Sequence, residues 1–146
     1  MNGVNRFAKR LVRVVLSAVT VWVIGHAGSV LADEIAVTLS GNQEIPPVTT
    51  SATGTGTLTV GSNKSISGKV TVSGMAVTVA HIHEAAAGAN GAIIIPLTKV
   101  SDNVWVVPAG ANLTDAHYEA YRAGRLYFNI HSEAHKTGEI RGQIKP

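Results

Sequence analysis

The chain has no cysteine. That excludes disulfide staples, Cys-based zinc sites, thiolate catalysis and blue-copper ligation. It has no acidic residue before Asp33, although Arg6, Lys9, Arg10 and Arg13 all precede it. No Gly-rich phosphate loop opens a helix, because Gly54-Thr-Gly56 lies within a predicted strand. There is no defensible Ser-His-Asp arrangement, no internal repeat, no linker and no second domain.

What is present begins with a leader. A positive end is followed by an apolar run over 14–24 and a small-residue exit that finishes Val30-Leu31-Ala32. These are the three parts of a secretory signal peptide. Residues 1–32 are therefore expected to be removed and residues 33–146 to form one domain, periplasmic or secreted. The leader has no twin-arginine pair, which favours the general secretion route. The alternative is a leader retained as an anchor, the one way in which this chain would touch a membrane. Of twelve Lys and Arg, four leave with the leader, so eight face nine Asp and Glu, a formal charge of −1. The high isoelectric point belongs to the leader, and no nucleic-acid partner is indicated.

The remaining residues are rich in Val, Ile and Thr, with glycines at turn-like intervals. Alternation predicts strands over 34–40, 52–60, 65–73, 76–84, 92–98, 103–107, 125–131 and 138–144. Pro46-Pro47 keeps 41–50 out of any central strand. Gly54 and Gly56 within the second strand imply a bulge or a close backbone approach. The period changes over 113–123, which predicts a short helix ending at Gly124. The fold class is all-β: an antiparallel β-sandwich or Greek-key barrel of seven to eight short strands, with one short helix before the last two.

The most pointed chemical feature is His81-Ile82-His83. In a strand, residues i and i+2 project from one face, about 7 Å apart. Two imidazoles so placed can converge on one metal, and His131 ends another predicted strand. Neutral imidazole suits copper and zinc, and three nitrogens favour Cu(II) over Zn(II) by the usual affinity order, leaving a coordination position open. With ordinary histidines, binding is expected to weaken as pH falls through about 6.5. The alternative is a set of unrelated surface histidines without a ligand. His135 follows in the adjoining turn and is an accessory candidate. His117 in the helix has no such support.

Parity assigns further residues. Leu126, Phe128 and Ile130 share a face with the core, as do Ile140 and Ile144. Tyr127, Asn129 and His131 then face the other way, with Glu139, Arg141 and Gln143. If these strands pair, His131, Glu139 and Arg141 gather on a polar outer face, either as a site or as an ion pair of Glu139 with Arg141. Glu44, stiffened by the two prolines, could accept from a histidine N–H, cap a turn or be solvated.

Six segments arise in order: Gly41-Asn-Gln-Glu-Ile-Pro-Pro47 with Thr50 and Gly54, Ala80-His-Ile-His-Glu84 with Gly88, Ile95-Pro-Leu97, Leu113-Thr114, Gly124-Arg-Leu-Tyr-Phe-Asn-Ile-His131 and Gly138-Glu-Ile-Arg-Gly-Gln143. Together they resemble the CHRD domain, named for chordin, an extracellular antagonist of growth factors. The resemblance implies an extracellular β-module and leaves a protein partner or a homodimer open. Residues 74–90 are also similar to the copper-binding segment of Cu/Zn superoxide dismutase. That likeness implies His81 and His83 as a copper pair and His131 as the late ligand. The sequence departs from it in lacking a bridging histidine after His83 and the disulfide cysteines. Three functions follow: a non-enzymatic copper-binding protein of the cell envelope, a metal-free interaction module, or a dismutase-like redox enzyme.

Protein recovered from the envelope or medium should begin at Asp33 or within a few residues of it on N-terminal sequencing. Exported protein that still carries Met1 would contradict the leader assignment.

Overall fold

Alternating Thr, Val and Gly residues shape the first half of the fold. In the computed structural model, which describes residues 34–146, they form three consecutive antiparallel strands: β1 (Glu34–Ser40), β2 (Thr53–Val60) and β3 (Ile66–Ser73). The expected leader, 1–32, lies outside the described residues. Between β1 and β2 the chain makes a 3-10 turn, Gly41–Gln43, and then the proline-bearing loop. The second half comprises β4 (Val79–Glu84), β5 (Ala92–Pro96), β6 (Thr98–Ser101), β7 (Val104–Val106), α1 (Asp115–Arg122), β8 (Leu126–His131) and β9 (Ile140–Ile144).

All nine strands join one antiparallel sheet in the order β5-β4-β8-β9-β1-β2-β3-β7-β6. β5 and β6 lie at opposite ends of that order, yet only Leu97 separates them in the chain. The two edges must therefore meet, and the sheet rolls into a nearly closed barrel. Leu97 is buried at this corner, and its N–H donates to the Ala80 carbonyl at 2.9 Å. A strand that bends once can serve both ends of a rolled sheet, whereas two flat edges would stay unpaired.

The apolar parity predicted from the sequence fills the barrel. Leu39, Leu58, Val70, Ile82, Leu126, Phe128, Ile130, Ile140 and Ile144 have essentially no exposed surface. The pairing of β2 with both neighbours is continuous, without a bulge. Gly56 instead permits close approach: a Cβ there would stand 3.1 Å from Cε2 of Phe128, across the barrel.

Four local differences from the sequence reading have physical causes. The expected strand over 92–98 is split at Leu97, because the chain changes edges there, and this yields the additional strand β6. β4 starts at Val79 rather than at residue 76, after a bend that contains Gly74. β9 starts at Ile140 rather than at residue 138, because Gly138 and Glu139 still belong to the turn that feeds it. The helix is shorter than 113–123 because Thr114 caps it, accepting from the His117 N–H at 3.2 Å.

The larger correction concerns the outer face of β4, β8 and β9. Side chains with polar parity do project there, but every residue of β8 is buried. The loops over 41–50, 85–91 and 132–138 lie on that face and shield it from water. Arg141, expected on a polar outer surface, is only 1 % exposed.

Ile140→Ala removes a fully buried side chain from the barrel interior. It should destabilise the domain by about 2–4 kcal/mol in chemical denaturation.

Candidate metal centre

β4 presents His81 and His83 on its outer face, as period two requires. In the antiparallel pairing with β8, Val79 stands opposite His131 and His81 opposite Asn129. His131 is thus the diagonal neighbour of His81. Its ring reaches over, so that His81 Nδ1 and His131 Nε2 are 3.1 Å apart. One nitrogen from each of His81, His83 and His131 lies within 4.8 Å of the other two. A tetrahedral ion at about 2.0–2.1 Å from each nitrogen sets them about 3.4 Å apart. The three rings are therefore within a modest side-chain adjustment of one coordination sphere.

The second nitrogen of two rings is fixed by backbone. His83 Nδ1 donates to the Gly91 carbonyl at 2.9 Å, and His131 Nδ1 donates to the Lys136 carbonyl at 3.0 Å. A carbonyl can only accept, so both Nδ1 atoms carry the proton and both Nε2 atoms offer a lone pair. His83 Nε2 is buried and has no hydrogen-bond partner. Backbone carbonyls that set the tautomer in this way are the usual outer support of a histidine metal ligand.

All three imidazoles are held neutral. Burial lowers His81 to about 4, with the neighbouring His131 and His83 adding to the effect. Burial also lowers His83 against the pull of the Gly91 carbonyl, and lowers His131 against that of Lys136. All three imidazoles therefore protonate below the pH expected from ordinary histidines.

The supporting residues are largely loop-binding. Arg141 donates to the carbonyls of Ala89 at 2.8 Å and Ala86 at 3.3 Å, and to Gln143 Oε1 at 2.8 Å. Its guanidinium lies 3.6 Å from the centroid of Tyr127. From the neighbouring strand, His83 stacks on the same ring at 5.0 Å. Tyr127 Oη accepts from the Gly91 N–H at 3.1 Å. Arg141 and Tyr127 together hold the loop whose Gly91 carbonyl orients His83.

Glu139 performs the equivalent task for His131. Its carboxylate accepts from Thr50 Oγ1 at 2.7 Å and from Ser132 Oγ, and Ser132 Oγ also takes the His135 N–H. These bonds secure the 132–138 turn that supplies the Lys136 carbonyl. Burial pushes the Glu139 carboxyl up, but the two hydroxyls and His135 outweigh it and leave it below the usual range. Glu139 and Arg141 form no ion pair: one is committed to the 132–138 turn, the other to the 85–91 loop. His135 contributes to that turn and is not one of the three converging histidines. His117 lies elsewhere, 3.9 Å from the Glu84 carboxylate.

Glu44 sits against Asn129, whose Nδ2 donates to Oε2 at 3.4 Å, rather than against a histidine. Its Oε1 and the Oδ1 of Asn129 are both buried without a partner. Gly138, at φ +133°, makes room for them: a Cβ there would lie 2.4 Å from Asn129 Oδ1 and 2.7 Å from Glu44 Oε1. Burial raises Glu44 to about 7, against the opposing pull of Arg141 and the Asn129 hydrogen bond.

The model of the CHRD domain matches residues 35–144. The chain belongs to the CHRD family. No curated protein and no solved structure matches it. The match runs from β1 to the end of β9, so every residue of the histidine cluster and its supports lies within the CHRD domain.

Sequence reasoning placed Tyr127, Asn129 and Gln143 on the outer face but assigned them no task; it noted Thr50 only as a motif residue, and it missed Gly91 and Ser132. The signal for the first three was their shared parity with His131. The carbonyls of Gly91 and Lys136 carry no side-chain signature, so nothing in the sequence could have identified them.

The titrations have opposite signs. Unfolded histidines take up protons near pH 6.5, whereas the folded ones stay neutral to lower pH, His81 to about 4. The histidine contribution to stability is thus present above about 6.5 and lost as pH falls toward 4. Glu44 keeps its proton in the fold up to about 7, against 4.5 unfolded, so its contribution is present below 4.5 and lost as pH rises through 7. In urea titrations of the metal-free CHRD domain from pH 4 to 8, wild type should lose stability relative to Glu44→Gln as pH rises through that window. A wild-type-to-variant difference that stays constant across it would show that Glu44 is not raised.

Proposed function

We propose that this CHRD protein is an exported, non-enzymatic copper-binding protein of the cell envelope, periplasmic or secreted. The observation that carries the reading is the convergence of His81, His83 and His131, two of them with tautomers set by backbone carbonyls. Three neutral imidazoles without a thiolate or carboxylate ligand suit Cu(II), with Zn(II) as the alternative. The three side chains would supply the protein ligands and leave one position for solvent. Family membership supports an extracellular module, and the basic leader with its Ala32 exit supports export. No helix among the described residues is long and apolar enough to cross a membrane.

Family membership also favours a second reading, a protein-interaction module that needs no metal. Its surface would draw on the exposed apolar side chains Val79, Ile93 and Val100 on β4, β5 and β6.

Titration of the mature protein with Cu(II) and Zn(II) separates the two. One ion per chain should bind, copper more tightly, and the melting temperature should rise because the ion binds the native state. His83→Ala and His131→Ala should each weaken binding by roughly tenfold or more, whereas His117→Ala should leave it unchanged. Absence of stoichiometric binding would leave the interaction module as the better reading.

A further inference from the structure

The three histidines are not equivalent. His83 and His131 are almost wholly buried, and each has its Nδ1–H committed to a backbone carbonyl. His81 is only partly buried, and its ring hydrogen bond is the one to His131; its Nε2 has no partner among the described residues.

The 3.1 Å contact between His81 Nδ1 and His131 Nε2 fixes a proton. His131 has its hydrogen on Nδ1, held by Lys136, so its Nε2 is a bare lone pair. A second lone pair facing it at that distance would be repulsive. The hydrogen must therefore sit on His81 Nδ1. As a result, His81 Nδ1 and His131 Nε2 are occupied with each other in the metal-free protein, whereas His83 Nε2 has no partner.

We propose that His81 is the latch of this centre: it closes the metal-free site by donating Nδ1–H to His131, and it opens by moving its proton to Nε2. The inference rests on the metal-binding reading. A metal cannot bond Nδ1 while that atom carries hydrogen. The balance is simple: Nδ1 gives a proton to water, Nε2 takes one from water, and the ring stays neutral. Of the three rings, only that of His81 can make this exchange without breaking a bond to backbone. His83 Nε2 is buried without a partner, so an incoming ion reaches it only once His81, the most exposed of the three, has moved. His131 Nε2 is released as the latch opens, and His81 Nδ1 closes on the ion last. Removal follows the reverse order, so the ion exchanges on the His81 side.

Nitrogen-15 NMR of the imidazoles in the wild-type mature protein, before and after one equivalent of Zn(II), tests this directly. Without metal, all three rings should carry hydrogen on Nδ1, with His81 coupled to His131 Nε2. With zinc, His81 alone should change tautomer, to Nε2–H with Nδ1 bound, while His83 and His131 keep Nδ1–H and bind through Nε2. Zinc binding with His81 still protonated at Nδ1, or a tautomer change in His83 or His131 instead, would overturn the latch and leave the metal-binding reading standing. If neither zinc nor copper binds, both fail together.

Discussion

A guanidinium taken out of water has to be given hydrogen-bond acceptors, and the acceptors that meet Arg141 come largely from a loop that would otherwise have little reason to lie down. Through the carbonyls of Ala86 and Ala89, Arg141 draws the 85–91 segment over the outer face of β8 and β9. Asn90 ties the same segment to the Ile45 carbonyl of the proline-bearing loop at 2.7 Å. Once the segment is in place, the Gly91 carbonyl meets His83 and the Gly91 N–H meets Tyr127. The orientation of a candidate ligand thus depends on a buried charge that never approaches it as a hydrogen-bond partner. The same charge lies over Tyr127 and disfavours protonation of His83 behind that ring.

The CHRD domain therefore has two interiors of different chemistry. Inside the barrel, aliphatic side chains pack with Phe128 and Trp105, and the Trp105 Nε1–H is the unpartnered polar group there. Outside it, beneath three loops, lies a polar layer in which almost every donor and acceptor is assigned. The few unassigned atoms are concentrated in this layer: His83 Nε2, Glu44 Oε1 and Asn129 Oδ1, with Trp105 Nε1 as the exception elsewhere. A buried lone pair on a ring whose tautomer is fixed is free to accept a cation or a hydrogen-bond donor. The orphaned oxygens of Glu44 and Asn129 converge near Gly138, and the raised Glu44 carboxyl fits a protonated acid beside a bare amide oxygen.

Much of this was legible in the chain. Period two identified which residues of β8 and β9 face the barrel and which do not, because a strand has only two sides. The spacing of His81 and His83 put both imidazoles on one face for the same reason, and family membership followed from motifs spread over nearly the whole domain. The short helix was readable from its change of period and from Gly124 at its end, and the structure identified Thr114 as its cap.

Other features were decided only by the tertiary structure. Nothing local shows that β4 and β8 are neighbours, so the meeting of His131 with His81 rests on strand order and register, which are non-local. Nothing local shows that a single residue, Leu97, carries the chain between the two edges of a rolled sheet. Parity can tell which side a residue takes but not whether that side is wet, and the outer face became an interior because loops distant in sequence cover it. The orienting groups of His83 and His131 are main-chain carbonyls, identical at every position, whose direction is set by loop conformation. The sequence determined the histidines' side of the sheet; the assembled fold determined their separation, their tautomers and their dryness.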